Sequence, residues 1–137
     1  MAEPVADFVW RVRVYWEDTD AGGVVYYANY LKFMERARTE WLRSRGLIQS
    51  RLEEEQGVVM VMRDISARYV TPARLDDELA VTVTLEKTGG ASFEVSQQIW
   101  RMPDSTLLVE GRGSAACLKA SNWRPCRFPA VLRDALA

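Results

Sequence analysis

One long helical stretch, followed by strand-like runs joined by short turns, limits this chain to few folds. From about Tyr27 to Arg45 the apolar residues Tyr30, Phe33, Met34, Ala37, Trp41 and Leu42 recur at three- and four-residue steps. Lys32, Glu35, Arg36, Arg38, Glu40 and Arg43 fall between them. This period predicts an amphipathic helix of about five turns. Arg43 and Arg45 suit its C-terminal dipole and Gly46 its C′ position. Asn29 is a candidate N-cap, with a start two residues earlier as the alternative.

The rest of the chain alternates. Phe8 to Trp16 places Phe8, Trp10, Val12, Val14 and Trp16 on one side, which is a half-buried strand. After the helix, Ile48 to Gln56 reads as a short polar helical turn closed by Gly57. Val58 to Tyr69 is strand-like, and Thr71 to Asp77 is a loop. Glu78 to Lys87 and Ser92 to Trp100 are strands around a Thr88-Gly89-Gly90-Ala91 hairpin turn. Met102 to Thr106 is a further turn. Leu107 to Lys119 is the last and longest strand, with Gly111 and Gly113 expected to mark a bend or bulge. The tail from Ser121 to Ala137 carries prolines and a short terminal helix. Short turns imply antiparallel pairing, and one long helix against one antiparallel sheet is an α+β domain. A length of 137 residues predicts a single domain over residues 1–137. A sheet covered on one face by one helix leaves an edge or face for a partner, so oligomerisation is expected.

Function is constrained first by what is missing. The chain has no histidine. That removes Ser-His-Asp and Cys-His nucleophile systems, the usual zinc hydrolase sites and histidine-based dehydration. An enzymatic base must be a carboxylate, Lys, Tyr or Cys. The net charge of −1 gives no whole-chain pull toward nucleic acid or an anionic membrane. Cys117 and Cys126 form no metal pattern, and a reduced, cytoplasmic setting is expected. Met1 to Asp7 has neither the basic region nor the apolar core of a signal peptide, and no run approaches a membrane span.

The candidate chemistry lies in Trp16-Glu17-Asp18-Thr19-Asp20-Ala21-Gly22-Gly23-Val24-Val25-Tyr26-Tyr27-Ala28-Asn29-Tyr30. Two carboxylates precede two glycines, and the glycines lead into a helix start. Asp18, Asp20 and Gly23 fall on positions 1, 3 and 6 of a calcium loop, but Gly22 fails position 5 and Asn29 replaces the glutamate at 12. No Gly-Lys-Ser/Thr follows, which excludes a phosphate loop. Glycine lets backbone approach a ligand closely, and backbone N–H groups at a helix start are unpaired and partly positive. A thioester carbonyl over that start would be polarised as an oxyanion hole requires, with Asp20 on the other side of the carbonyl carbon as base or nucleophile.

The same residues, from Tyr15 to Leu31, together with Glu35-Arg36-Ala37-Arg38-Thr39-Glu40, closely resemble the hotdog-fold acyl-CoA thioesterases. The branch is that of 4-hydroxybenzoyl-CoA thioesterase, nearest to its Tol-Pal-associated members. A second match is Tyr69 to Asp77. The resemblance covers nearly the whole chain. It implies a hotdog fold, with the antiparallel sheet wrapped around the long helix. It also implies dimers that pair sheets edge to edge, assembly into tetramers, and active sites at subunit interfaces. No metal or cofactor is implied.

By that resemblance the catalytic aspartate falls on Asp20, not Asp18, and the oxyanion N–H on Tyr27. The Tol-Pal branch usually has histidine at position 27 and the hydroxybenzoyl branch tyrosine. A backbone donor is indifferent to that change. Gly22 and Gly23 would permit close approach, and Tyr26 and Asn29 would join substrate binding. Tyr26, Tyr30 and Trp41 are candidate acyl-pocket walls, or simple core. In the hydroxybenzoyl branch a basic turn holds the CoA nucleotide. Here that turn, Lys87 to Ala91, carries one cation, which leaves both CoA and the phosphopantetheine arm of an acyl carrier protein open as carriers. The expected activity is hydrolysis of an acyl thioester, with a non-hydrolytic acyl-thioester-binding module as the competing class.

Overall fold

The structure, a computed structural model, describes residues 4–137; the first three residues of the N-terminal segment lie outside the described residues. Its elements in chain order are β1 (Phe8–Arg13), a 3₁₀ turn (Trp16–Asp18), α1 (Asn29–Ser44), α2 (Gln49–Gln56), β2 (Val58–Tyr69), β3 (Glu78–Thr88), β4 (Ser92–Met102), β5 (Thr106–Lys119) and α3 (Ala130–Ala135). The five strands form one antiparallel sheet in the order β1-β3-β4-β5-β2. Because β1 and β2 lie at opposite edges, the segment between them must cross the sheet, and α1 is that crossing. The two hairpins β3-β4-β5 then fill the space between the edges.

The apolar stripe of α1 is buried as its period predicts. Phe33, Met34, Ala37 and Trp41 are each no more than 1% exposed. They pack on the inner face of the sheet, where Trp41 meets Phe93 edge-on at 5.7 Å between ring centroids. Phe128, Leu132 and Leu136 of the tail close the far end of this core. The α+β class and the single long helix against an antiparallel sheet are as expected.

Three local expectations need correction. The first strand ends at Arg13, not Trp16. Its partner β3 begins at Glu78, opposite Arg13, so alternation beyond that point has no ladder to join. Val14 still turns inward and is fully buried, whereas Trp16 is 80% exposed on the 3₁₀ turn. At the start of α1, Ala28 holds the N-cap position and Asn29 is the first helical residue.

The third correction concerns Gly111 and Gly113. Both stay in register with β2 and β4. Gly111 makes room for the helix: a Cβ there would sit 2.8 Å from Met34 Cε. The bulge that matters for the site lies on the neighbouring strand, at Arg63, and the register shift of β5 itself falls at Leu108, where Ile99 pairs with Val109 and Trp100 with Leu107. Side-chain direction has a period of two, so one extra residue exchanges the faces. Met60 and Met62 face inward before the bulge, opposite Cys117 and Ala115. Ile65, Ala67 and Tyr69 face inward after it, opposite Gly113, Gly111 and Val109. The bulge therefore delivers Tyr69 to the helix side of the sheet.

Candidate active site

The turn that carries Asp20 is held from within. Asp20 N–H donates to Val24 O (2.9 Å) and Gly23 N–H donates to Asp20 O (3.0 Å). Gly22 N–H donates to Asp20 Oδ1 at 2.8 Å. Gly23 has φ of 79°, which favours glycine, and a Cβ on Gly22 would come within 3.2 Å of the same carboxylate oxygen. Gly22 thus anchors the carboxylate of Asp20, and Gly23 shapes the turn that carries it.

Asp18 does something else. Its Oδ2 accepts from Tyr15 N–H at 2.8 Å, which closes the 3₁₀ turn. Its carbonyl accepts from Tyr26 N–H (3.0 Å) and from Asn29 Nδ2 (2.9 Å). Asp18 and Asn29 are therefore braces that pin the chain between the turn and α1. The Asn29 amide is committed to this brace and does not line the cavity described next.

Asp20, Val24, Tyr27, Tyr30, Tyr69 and Val70 are among the residues around one cavity of about 270 Å³ at the N-terminal end of α1. Tyr27 N–H and Ala28 N–H donate to no acceptor among the described residues, as expected for the entry of a helix. Tyr27 and Tyr69 meet edge-on at 6.1 Å, and Tyr30 lies 5.6 Å from Tyr69. Tyr26 packs against Tyr27 with tilted rings, 4.8 Å between centroids, and lies outside the cavity. Trp41 is not a wall of this cavity; it is core. Wider grooves of about 450 and 410 Å³ cross the outer face of the sheet. They lie over the paired strands β2, β4 and β5, where the N–H groups between strands are already used in the ladder.

The second sequence motif holds the first in place. Val25 N–H donates to Ala73 O (2.9 Å), and Ala73 N–H donates to the Tyr30 hydroxyl (2.9 Å). Arg74 N–H donates to Asp77 Oδ2 at 2.9 Å, which shapes the same loop. Burial pushes the Tyr30 phenol above its ordinary value, so it stays neutral and able to accept. The loop after β2 is thus clamped between the Asp20 turn and the first turn of α1.

Two residues escaped the sequence reading. Tyr69 gave no period signal because the bulge at Arg63 breaks the alternation before it. Arg127, in the tail, lies over the β3-β4 turn: a Cβ on Gly90 would be 3.4 Å from its Nη2. Phe128 N–H donates to Gly90 O (2.9 Å) and keeps the tail there. The turn that carries only Lys87 in sequence therefore has a second cation beside it in space.

Residues 14–136 match the family model described as the thioesterase-like superfamily. An acyl-CoA thioesterase YbgC of Haemophilus influenzae is 40% identical over 128 residues, covering 93% of each chain. An acyl-CoA thioester hydrolase YbgC of Escherichia coli O6:H1 is 43% identical over 122 residues, covering 89% of this chain and 90% of the relative. Among solved structures, a 1,4-dihydroxy-2-naphthoyl-CoA thioesterase from Synechocystis superposes with a TM-score of 0.88 at 23% identity, covering 94% of both chains, and shares the fold. With the braced aspartate turn, the open helix entry and the five-stranded antiparallel sheet against α1 already in place, these matches put the chain in the thioesterase-like superfamily, with the hotdog fold.

Proposed function

We propose that this chain is an acyl-CoA thioesterase that hydrolyses an acyl thioester to the free acid and thiol, with Asp20 as its catalytic carboxylate. The observation that carries this is the shared cavity: a carboxylate anchored through one oxygen and, on the same wall system, a helix entry whose Tyr27 N–H has no acceptor among the described residues. The YbgC relatives carry the matching activity in their names.

The chemistry follows from these parts. The thioester carbonyl oxygen accepts from Tyr27 N–H, which stabilises the negative charge that develops on attack. Asp20 Oδ1 is occupied by Gly22 N–H, so Oδ2 is the oxygen free to act. Acting as base, it takes a proton from a water that adds to the carbonyl carbon. Acting as nucleophile, it adds itself and forms an acyl anhydride that water then cleaves. In the base route the tetrahedral intermediate collapses with release of the thiolate, which takes up the proton held by Asp20; in the nucleophile route the thiolate leaves as the anhydride forms, and the water that cleaves the anhydride restores the Asp20 carboxylate and supplies the proton that the thiolate takes up. Gly22 and Gly23 keep the turn low enough for the substrate to reach Asp20. Tyr27, Tyr30 and Tyr69 form the wall for the acyl group. Tyr26 packs against Tyr27 from outside, and its part in binding is to hold that ring. Lys87 and Arg127 lie at the far end of the core from the Asp20 cavity, so in this reading they serve the phosphates of a thioester bound by the partner subunit, with CoA and an acyl carrier protein both open as carriers.

A homodimer formed along β2 is part of this proposal. The strand runs twelve residues at the edge of the sheet, without proline, and exposes Ile65 and Tyr69. Light scattering should give two or four times the 15.6 kDa chain mass. Among the described residues no helix is long and apolar enough to cross a membrane.

The test is thiol release from short, long and aromatic acyl-CoAs by wild type and Asp20→Asn. Loss of roughly 10²–10⁴ in kcat, with fold and mass unchanged, is the expected result. Equal turnover by both proteins would remove Asp20 from the mechanism. Binding without thiol release by the wild type would point instead to a non-hydrolytic module. Single turnover in ¹⁸O-labelled water tests the nucleophile route, because label enters the Asp20 carboxyl group only when water cleaves an anhydride at the Asp20 carbonyl carbon.

A further inference from the structure

The tail returns to the sheet beside the end of β5. Lys119 N–H donates to Arg124 O (2.9 Å) and Cys126 N–H donates to Cys117 O (2.9 Å), so Pro125 faces Leu118 in an antiparallel bridge. Phe128 N–H then ties the tail to Gly90 O, and the buried Phe128 ring lies 6.4 Å from that of Phe93. This pairing sets Cys126 opposite Cys117, nine positions earlier in the chain, with 3.6 Å between the sulfurs. Opposite residues of an antiparallel pair have Cα atoms about 4.5–5.5 Å apart, inside the ~4.4–6.8 Å span of bridged cysteines. Both thiols are free. A bond of about 2.05 Å asks the sulfurs to close by about 1.5 Å, a movement within reach of side-chain rotation.

The two sulfurs differ in access. Cys117 is fully buried in β5, whereas Cys126 is half-buried on the tail, with Arg124 and Arg127 close to it in sequence. Thiols react in partly exposed, electropositive surroundings, and buried ones are inert. Burial first, and then the hydrogen bond between the two thiols and the charge of Cys126, push Cys117 up to about 12. Capping Cys126 removes both contributions of that neighbour, so the buried thiol becomes more acidic once its partner has been modified. The pair lies on the β4 side of β5, with β5 between it and the β2 edge. Neither cysteine lines the Asp20 cavity.

We propose that Cys126 and Cys117 are a reversible oxidation site, closed by a low-molecular-weight disulfide into an intramolecular bond that staples the tail to β5. Cys126 is the attacking thiol and Cys117 the resolving one. In the first step the Cys126 thiolate attacks one sulfur of the small disulfide. A mixed disulfide forms, and the departing thiolate takes up the proton that Cys126 gave up. In the second step the Cys117 sulfur attacks the Cys126 sulfur. The mixed bond breaks, and the second small thiolate leaves and takes up the Cys117 proton. The two protein thiols lose two electrons, and one small disulfide is reduced to two thiols. Contact between the sulfurs makes the second step intramolecular, which offsets the weak acidity of the buried thiol. The closed loop carries Trp123, which is exposed at a φ of 59°. The site rests neither on Asp20 nor on the thioesterase reading.

Incubation of the full chain with glutathione disulfide, followed by intact mass and peptide mapping, tests this. The wild type should lose two hydrogen atoms, retain no glutathione and yield peptides joined at Cys117 and Cys126 within one chain; dithiothreitol should reverse the change. Closing a loop of about ten residues restricts the unfolded chain, so the oxidised protein should unfold at least about 3 °C above the reduced one. Cys117→Ala should stop at one glutathione on Cys126. Cys126→Ala should take up glutathione at least tenfold more slowly than Cys117→Ala. The wild-type map carries the test if either variant does not fold. A wild type that retains glutathione on Cys126, links two chains, or keeps both thiols free where the urea-unfolded chain is oxidised would overturn the proposal. So would equal uptake by the two variants, or an oxidised chain that unfolds no higher than the reduced one.

Discussion

Removing the Tyr30 hydroxyl tests whether the loop after β2 is clamped as described. In Tyr30→Phe the ring stays, so its contacts with Phe33 and Tyr69 persist. What is lost is the acceptor for Ala73 N–H, a bond of 2.9 Å at a residue that is fully buried. A buried donor left without a partner costs about 1–3 kcal/mol. One term opposes this: the phenol is a donor with no acceptor of its own among the described residues, so its removal relieves some desolvation cost. A net loss of about 1–2 kcal/mol follows. For a chain of this length, each kcal/mol moves the midpoint by about 3–4 °C, so the shift is about 3–8 °C downward. Thermal unfolding at fixed protein concentration measures it, and thiol release measures the consequence. Because Val25 pairs with Ala73, a loosened loop releases the Asp20 turn, and kcat should fall more than the midpoint alone accounts for. A midpoint within 1 °C of the wild type would show that the hydroxyl clamps nothing. A large stability loss with kcat unchanged would refute the link from the loop to Asp20.

Three further substitutions separate structure from chemistry. Asp18→Ala removes the acceptor of Tyr15 N–H and should cost about 1 kcal/mol in urea unfolding, while kcat stays within a few fold of wild type, unlike Asp20→Asn. Gly111→Val places side-chain atoms where Met34 Cε now sits and should cost about 1–3 kcal/mol by overpacking; adding Met34→Ala should return part of that loss, read from a double-mutant cycle. Burial pushes the Cys117 thiol up to about 12, from an ordinary value near ~8.5. Between those values the unfolded chain ionises and the folded one does not, so stability is complete below the lower value and declines as pH rises through this window. Cys117→Ala should flatten that decline relative to wild type, and a thiol reagent near neutral pH should modify Cys126 ahead of Cys117.

What could be read from sequence here followed from repetition, and what could not came from its breaks. The period of α1 located the helix to within two residues at its start and one at its end, because burial of one face imposes that period directly. Alternation located five strands for the same reason. Yet it overran β1, because alternation reports side-chain direction and says nothing about where a partner strand stops. It also placed the irregularity of β5 on Gly111 and Gly113 instead of Leu108, and it missed the bulge of β2, whose visible sign was a change of parity, with Met60 and Met62 on one phase and Ile65, Ala67 and Tyr69 on the other. Read as a bulge, that change would have brought Tyr69 to the cavity from sequence alone. Arg38 shows the converse. It falls four residues after Met34 and three before Trp41, squarely on the buried stripe, but residue type assigned it to the surface against its own spacing. Position should outrank type in such a case, because burying a cation is costly enough that a helix that does so must hold it with something, here Gln97. Asp18 and Asp20 could not be told apart by either test. Both are turn carboxylates two residues apart, and only hydrogen bonding separates them: Asp18 directs its carboxylate back to Tyr15, while Asp20 is held at one oxygen by Gly22 and faces the cavity with the other free.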